Sequence, residues 1–257
     1  MIKLNSSFEG EIVKYYDLYF LPKEKVSKEI DYILNMCKRY ISDYDLCLDI
    51  GCGTGAYSEV LSKHFDKVLG MDLSKDMIDY ADINHKNERI SYIHKDARCM
   101  EDITCGAGAG FAVSLAHVVG YQLDNGSLEN YFKTACVNLK KGGVFWFNFY
   151  NQPALFFNAL SPRHMKINDS GCEISRISNA SIDAESNCLN MDYYYIVNRD
   201  GLQDIIEIHE KMRYFTRLEL EFILDKCGFD IIKMFNYQSS DELSCDNWNG
   251  GVLARKR

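Results

Sequence analysis

The segment that most constrains this chain is Asp49-Ile50-Gly51-Cys52-Gly53-Thr54-Gly55, directly after the apolar run Leu46-Cys47-Leu48. An apolar run that breaks into closely spaced glycines reads as a buried strand entering a loop. The apolar spacing from about Tyr57 to Phe65 then reads as an amphipathic helix. Glycines let the backbone turn sharply and approach a ligand closely, and a helix start presents unpaired N–H groups. A second strand, Gly70-Met71-Asp72, ends in a carboxylate about 20 residues past the first glycine, placed to accept ribose hydroxyls. Strand, glycine loop, helix, strand and acid make a nucleoside-binding unit.

The 257 residues are 47% hydrophobic, enough to bury a sizeable core in one domain. The formal charge of −8 counts against nucleic acid or an anionic membrane as the main partner. No run of 18 apolar residues and no signal-like leader is found, so a cytoplasmic protein is expected. The ten cysteines include no Cys-x-x-Cys pair. They read as small buried hydrophobes rather than metal ligands or disulfides, and Cys52 as a small residue tolerated beside the ligand.

Apolar spacing at Val26, Ile30, Ile33, Cys37 and Ile41 predicts a helix after Pro22. Ser74 caps a helix carrying Met77, Ile78 and Ala81, and strands are expected at Ile90–Ile93, Phe111–Leu115 and Val144–Phe149. A helix with Leu128, Tyr131, Phe132, Ala135, Cys136 and Leu139 on one face is predicted to stop at Gly142-Gly143. Strands alternating with helices imply a parallel sheet covered on both faces. From Cys172 to Arg213 the pattern changes to alternation, predicting a small antiparallel excursion. A capping box at Thr216 and Glu219 opens a last helix, which stops at Gly228, and Phe229–Phe235 and Asn249–Ala254 read as closing strands.

Gly51-x-Gly53-x-x-Ala56 formally satisfies the dinucleotide fingerprint. Asp49 speaks against that reading, because a carboxylate at the strand end repels a pyrophosphate and suits a ligand bearing an ammonium group. Leu48–Gly55 resembles the first motif of class I S-adenosylmethionine-dependent methyltransferases. Gly70–Ser74 followed by Met77 resembles their second motif, Asp96-Ala97 their adenine-binding position, and Phe111–Gln122 the segment near the methyl donor. Leu139–Gly143 is similar to the turn before their fifth strand, with Lys141 where the family usually has proline. The matches span about Tyr15 to Phe149. The β excursion and Tyr15-Tyr16-Asp17-x-Tyr19 are similar to amino-sugar and glycine-type N-methyltransferases.

The resemblance implies a Rossmann-like α/β fold, with a mostly parallel seven-stranded sheet, helices on both faces and the antiparallel β excursion after strand five. It implies a single domain over 1–257, with a donor-binding core at 15–150 and a flap insertion at 165–214. S-adenosyl-L-methionine is the implied cofactor. Asp49, Gly51 and Gly53 fall at its methionine end, Asp72 at the ribose, and Asp96 and Ala97 at the adenine. Cys52, Gly55, Leu73, Met77, Leu115 and the lid residue Tyr16 complete the donor contacts. His117 is the candidate proton acceptor, or else a packing residue. Tyr19, Tyr121 and Arg213 are acceptor-site candidates, and Arg213 serves equally well in an ion pair. Tyr194 must oppose Tyr193 and Tyr195 in a strand, so one set is available to line a pocket or pack a sheet face. The expected reaction is methyl transfer to a small polar acceptor, an amine rather than a hydroxyl. The alternatives are a non-catalytic donor-binding module and a nicotinamide-dependent oxidoreductase. A small-molecule acceptor is the expected partner, with no nucleic acid, membrane or metal, and homodimerisation stays open.

Overall fold

A computed structural model describes residues 2–4, 8–158, 160–169, 172–199, 201–237, 239 and 241–257. In chain order the elements begin with β1 (Ile2–Leu4), α1 (Val13–Phe20), α2 (Lys23–Cys37), β2 (Leu46–Ile50) and α3 (Ala56–Leu61). Then come β3 (Lys67–Asp72), α4 (Lys75–Asn84), β4 (Ile90–His94), β5 (Ala109–Ser114), α5 (Asn125–Asn138), β6 (Leu139–Tyr150) and α6 (Gln152–Phe157). The chain continues through β7 (Arg163–Asp169), β8 (Cys172–Asp183), β9 (Cys188–Arg199) and β10 (Leu202–Arg213). It closes with α7 (Arg217–Lys226), β11 (Phe229–Asn236) and β12 (Asn249–Lys256).

Seven strands form one sheet in the order β11-β12-β6-β5-β2-β3-β4. The pairs from β4 to β6 are parallel, and β12 runs antiparallel to both its neighbours. Strand order reverses direction at β2, with β3 and β4 on one side and β5 and β6 on the other. In such sheets the crevice beyond the carboxyl ends at this switch point receives the ligand.

Period-two alternation assigns the two faces. Cys47, Val113, Val144 and Trp146 pack with Val26, Ile30 and Ile33 of α2. Leu48, Phe145, Phe147 and Phe149 pack on the other face with Leu128 and Phe132 of α5 and Leu220 and Leu224 of α7. All are buried, and each large side chain contributes about 1.5–3 kcal/mol. Because Asp49 shares the parity of Cys47, its carboxylate points to the α3 side.

A second sheet, in the order β1-β10-β9-β8-β7, is antiparallel from β7 to β10, with β1 parallel to β10. Its inner face (Ile174, Tyr195, Val197, Ile206 and Ile208) closes on Ile12, Tyr15 and Phe20 from the segment containing α1. No helix among the described residues is long and apolar enough to cross a membrane.

One boundary differs from the sequence expectation. The helix with Leu128 ends at Asn138 rather than at Gly142-Gly143, and Leu139 already pairs with Ala109 in the sheet. The register then shifts so that Phe111 faces Val144, and the glycine pair sits in that irregularity. Gly142 takes φ +80 there, and a Cβ on Gly143 would lie 2.9 Å from the Lys140 carbonyl oxygen. A left-handed backbone at Gly142 and close strand approach at Gly143, not helix capping, are what call for glycine.

Candidate active site

The loop after β2 is tied back to β3 by its own backbone. Gly51 and Cys52 N–H groups donate to the Met71 carbonyl at 2.8 and 3.0 Å. Gly53 N–H donates to Asp72 Oδ2 at 2.9 Å, and Ser74 N–H to Asp72 Oδ1 at 2.8 Å. Asp72 therefore joins the glycine loop to the start of α4, where Ser74 caps the helix through the Met77 N–H. Gly51 and Gly55 take φ +76 and +86, in the left-handed region that favours glycine.

Asp49 is 1% exposed and accepts the Ser58 hydroxyl at 2.6 Å. Burial pushes its carboxyl up to about 7; the Ser58 hydrogen bond opposes the shift and the Asp72 charge adds to it. Burial also raises Asp72, against backbone N–H donors from Ser74, Gly53 and Leu73. Two acids of raised proton affinity thus flank the loop, an arrangement suited to a cationic ligand and unsuited to a phosphate.

Helix α1 lies over this loop. Asp17 Oδ1 accepts the Thr54 hydroxyl at 2.5 Å, and its Oδ2 lies 2.8 Å from His85 Nε2. His85 Nδ1 lies 2.6 Å from Glu59 on α3, and the Asp17 and Glu59 contacts outweigh burial to raise the imidazole pKa. The Phe8 carbonyl accepts from Ser74 Oγ, and Gly10 N–H donates to Asp76 at 2.7 Å. Tyr16 sits beneath, its phenol held protonated by burial first, then by Glu210, Tyr195 and Asp72. Tyr19 lies on α1, but its side chain is outside the described residues.

A cavity of about 700 Å³ opens between this edge and the second sheet. Of the sequence-predicted residues, Tyr16, His117 and Tyr121 line it. Asp49, Gly51, Cys52, Gly53, Gly55, Asp72, Leu73, Met77, Asp96, Ala97, Leu115 and Arg213 do not; all but Arg213 gather on or beside the β2–β5 edge. Met77 and Leu115 are buried, whereas the Leu73 side chain, next to Asp72, is 61% exposed. Both Asp96 oxygens are taken by the Arg98 guanidinium at 2.8 and 2.6 Å, and this pairing holds the carboxyl below its usual range.

His117 has φ +62, and its N–H donates to Asn148 Oδ1 at 3.0 Å. Its ring stacks on Tyr150 at 4.1 Å and on Trp248 at 5.9 Å, with Nε2 3.1 Å from Asn249 Oδ1. Burial, opposed by the Asn249 contact, pushes the imidazole down to about 4, so the ring is neutral near pH 7. It is a weak base in this setting.

Arg213 corrects an expectation. Its guanidinium donates to Asn125 at 2.7 Å and to Glu219, the N3 acid of the α7 capping box, away from the cavity. The ion-pair reading is the one observed. Tyr193 and Tyr195 line the cavity and Tyr194 does not, as alternation requires. Sequence reading missed Glu210, Arg163, Arg176, Tyr150 and Trp248, which also line it. Glu210 carried a signal: it continues the apolar series Ile206, Ile208, Met212 on one strand face.

Comparison with known proteins gives a consistent picture. Residues 47–143 match a family model described as a methyltransferase domain. The chain is 25% identical over 232 residues to dTDP-3-amino-3,4,6-trideoxy-alpha-D-glucopyranose N,N-dimethyltransferase of Streptomyces venezuelae, covering 87% of this chain and 92% of that one. The sugar N-methyltransferase KedS8 of Streptoalloteichus superposes with a TM-score of 0.81 at 17% identity, covering 98% and 97% of the two chains. CalS10, an amino pentose methyltransferase of Micromonospora echinaspora solved with S-adenosylmethionine bound, superposes with a TM-score of 0.73 at 17% identity, over 90% and 92%. The two superpositions establish a shared fold.

Proposed function

We propose that this chain, an S-adenosylmethionine-dependent methyltransferase of class I fold, methylates the amino group of a small acceptor, an amino sugar carried on a nucleotide being the best-supported class. The observation that carries this reading is the place of Tyr16. Its phenol feels the Asp72 charge on the glycine-loop side and lines the 700 Å³ cavity on the other. Donor acids and acceptor chamber meet at one side chain.

S-adenosylmethionine supplies an electrophilic methyl group on a sulfonium, already activated for in-line transfer. The residues present fit it: an acid pair without phosphate ligands, a glycine loop, and an uncovered Leu73 for the flat face of adenine. In this reading Asp72 holds the ribose and Asp49 the donor ammonium, while Leu73, Met77, Asp96 and Ala97 flank the base. The glycines at 51, 53 and 55, with Cys52 and the Leu115 backbone, complete the cradle, and α1 closes it through Tyr16. The protein's main work is to align acceptor and methyl in a water-poor chamber. His117, neutral and stacked on the Tyr150 ring beside Trp248, shapes that chamber rather than removing a proton. Arg163 and Arg176 on the cavity wall suit an anionic part of the acceptor such as a diphosphate. The cysteines recorded among the described residues are all free, which supports a reducing compartment such as the cytoplasm.

Asp49 gives the donor half a pH signature. A carboxyl raised to about 7 is protonated in the free protein below that pH, and an ammonium ligand requires the carboxylate. Affinity for S-adenosylhomocysteine is therefore lost as pH falls through 7, becoming roughly tenfold weaker at pH 6 than at pH 8. Calorimetry on wild type and Asp49→Asn checks this, since the variant should bind weakly with a flat profile. A flat profile in wild type would remove Asp49 from the ammonium.

For the acceptor half, wild-type protein with S-adenosylmethionine is offered nucleotide-linked amino sugars and their hydroxyl counterparts, and methylated product is read by mass. Turnover of amines alone is expected. Donor binding without turnover of any acceptor would favour the non-catalytic alternative.

A further inference from the structure

His85 closes helix α4, where its N–H donates to the Ala81 carbonyl at 2.9 Å. Its side chain is 9% exposed and stands between two carboxylates from two other helices. Nε2 lies 2.8 Å from Asp17 on α1, and Nδ1 lies 2.6 Å from Glu59 on α3. A neutral imidazole has one N–H and one lone pair, so it donates to only one carboxylate and turns its lone pair on the other. With both acids ionised, the two contacts are both hydrogen bonds only when the ring carries both protons. The geometry describes an imidazolium. The raised proton affinity of the ring, set first by the Asp17 contact, agrees with it.

The other groups around the ring leave its charge state to those two acids. Tyr92 on β4 donates to the His85 carbonyl at 3.1 Å, and the Tyr80 ring lies 6.3 Å away on α4. Burial raises both phenols, so neither ionises near neutral pH. Asp82 and Lys86, on either side in sequence, pair with each other at 2.6 Å. Asp17 carries the arrangement to the donor side. Its Oδ1 accepts the hydroxyl of Thr54, a fully buried residue of the glycine loop, at 2.5 Å, and its chain neighbour Tyr16 lines the cavity. Helix α1 has eight residues and no side-chain cap at its start. So short a helix is marginal by itself, and its place over the loop depends on contacts such as these.

We infer that His85 is a positioning residue whose two-sided hydrogen bonding latches α1 over the glycine loop and thereby governs how tightly the methyl donor is held. This rests on the donor lying against that loop, as in the reading above. Loss of one ring proton breaks one of the two bonds and leaves a lone pair against a carboxylate, which releases α1 from α3 and α4. A donor that requires the latched form binds with an apparent affinity reduced by the fraction of protein still latched. The ring's pKa is raised above its ordinary 6.5 by the latched contacts. Its contribution is therefore complete below that ordinary value and is lost as pH rises through the raised one. Asp49 acts in the opposite sense, so donor affinity has an acid limb from Asp49 and an alkaline limb from His85.

The test is calorimetric titration of S-adenosylhomocysteine into wild type, Glu59→Gln and His85→Ala from pH 6.5 to 9.5. In Glu59→Gln a neutral ring donates to Asp17 and accepts from the new amide, so the latch no longer needs the second proton. The Asp49 titration is common to both proteins and cancels in the ratio of their affinities. Wild type should weaken relative to Glu59→Gln by about tenfold or more across the range. His85→Ala should bind about tenfold more weakly than wild type already at pH 6.5, with no alkaline limb. The nitrogen-15 signals of the wild-type ring, assigned by their loss in His85→Ala, should show both nitrogens protonated at pH 6.5, where an ordinary imidazole is half neutral. A half-neutral ring there, or an affinity ratio that stays constant with pH, overturns the latch and leaves the donor reading standing. If wild type binds no S-adenosylhomocysteine at any pH, the donor reading falls and the latch with it.

Discussion

Gly51→Ala is expected to cost about 2–5 kcal/mol of stability and to remove measurable donor binding. Two independent terms combine. An L-residue at φ +76 carries left-handed strain of roughly 1–2 kcal/mol. The new methyl would also lie 2.6 and 2.7 Å from the two Val118 methyls, an overpacking that costs about 1–3 kcal/mol. Val118 cannot easily yield, because a β-branched side chain has few rotamers and this one packs against the main core. Any shift that relieves the clash moves either the Gly51 N–H from the Met71 carbonyl or the turn that carries His117. A chain of this size should lose roughly 5–15 °C in Tm, read by thermal melting. Gly53→Ala is the control: its φ is +53, but nothing lies within 4 Å of a Cβ there, so the strain term of about 1–2 kcal/mol acts alone. Equal losses in the two variants would mean that Val118 does not pin the loop.

The main sheet was legible because each strand carried its own signal. The apolar run Leu46-Cys47-Leu48 lies in a strand, Leu46–Ile50, and Ser74 and Thr216 cap the helices expected of them. These are local effects of hydrogen bonding and period, which the chain states within a few residues. The acids of the glycine loop were legible for the same reason. What the sequence withheld is long-range. Glycines stop helices and also allow strands to crowd, and only the register between β5 and β6 reveals that Gly143 does the second. Arg213 on a strand could as well have met a ligand, and its partner Glu219 was visible only as a cap. The cavity wall draws on α1, the ends of β5 and β6, and the inner faces of β8, β9 and β10, so no single stretch of sequence spells it. Asn148 was the one hint on β6, the lone polar residue of the apolar run Val144–Phe149, and it holds the His117 backbone.

Asp72→Ala is expected to weaken S-adenosylhomocysteine binding by about 1–3 kcal/mol, roughly 5- to 150-fold, measured by calorimetry. The loss has two sources. In the proposed donor pose Asp72 would accept from the ribose hydroxyls, and it also satisfies the Gly53 and Ser74 N–H groups that set the loop against α4. Asp96→Ala should cost less, within about threefold, because Arg98 already occupies both Asp96 oxygens and little of that carboxylate is committed to a ligand. The charge of Asp72 has a second consequence. It helps to raise Asp49 to about 7, so its removal should move the midpoint of the Asp49-dependent binding profile to lower pH. Wild type and Asp72→Ala titrated across pH 5 to 8 therefore separate the two acids. A weaker but parallel-shifted profile is expected; a weaker profile with an unmoved midpoint would show that burial alone raises Asp49 and that the acids do not act as a pair.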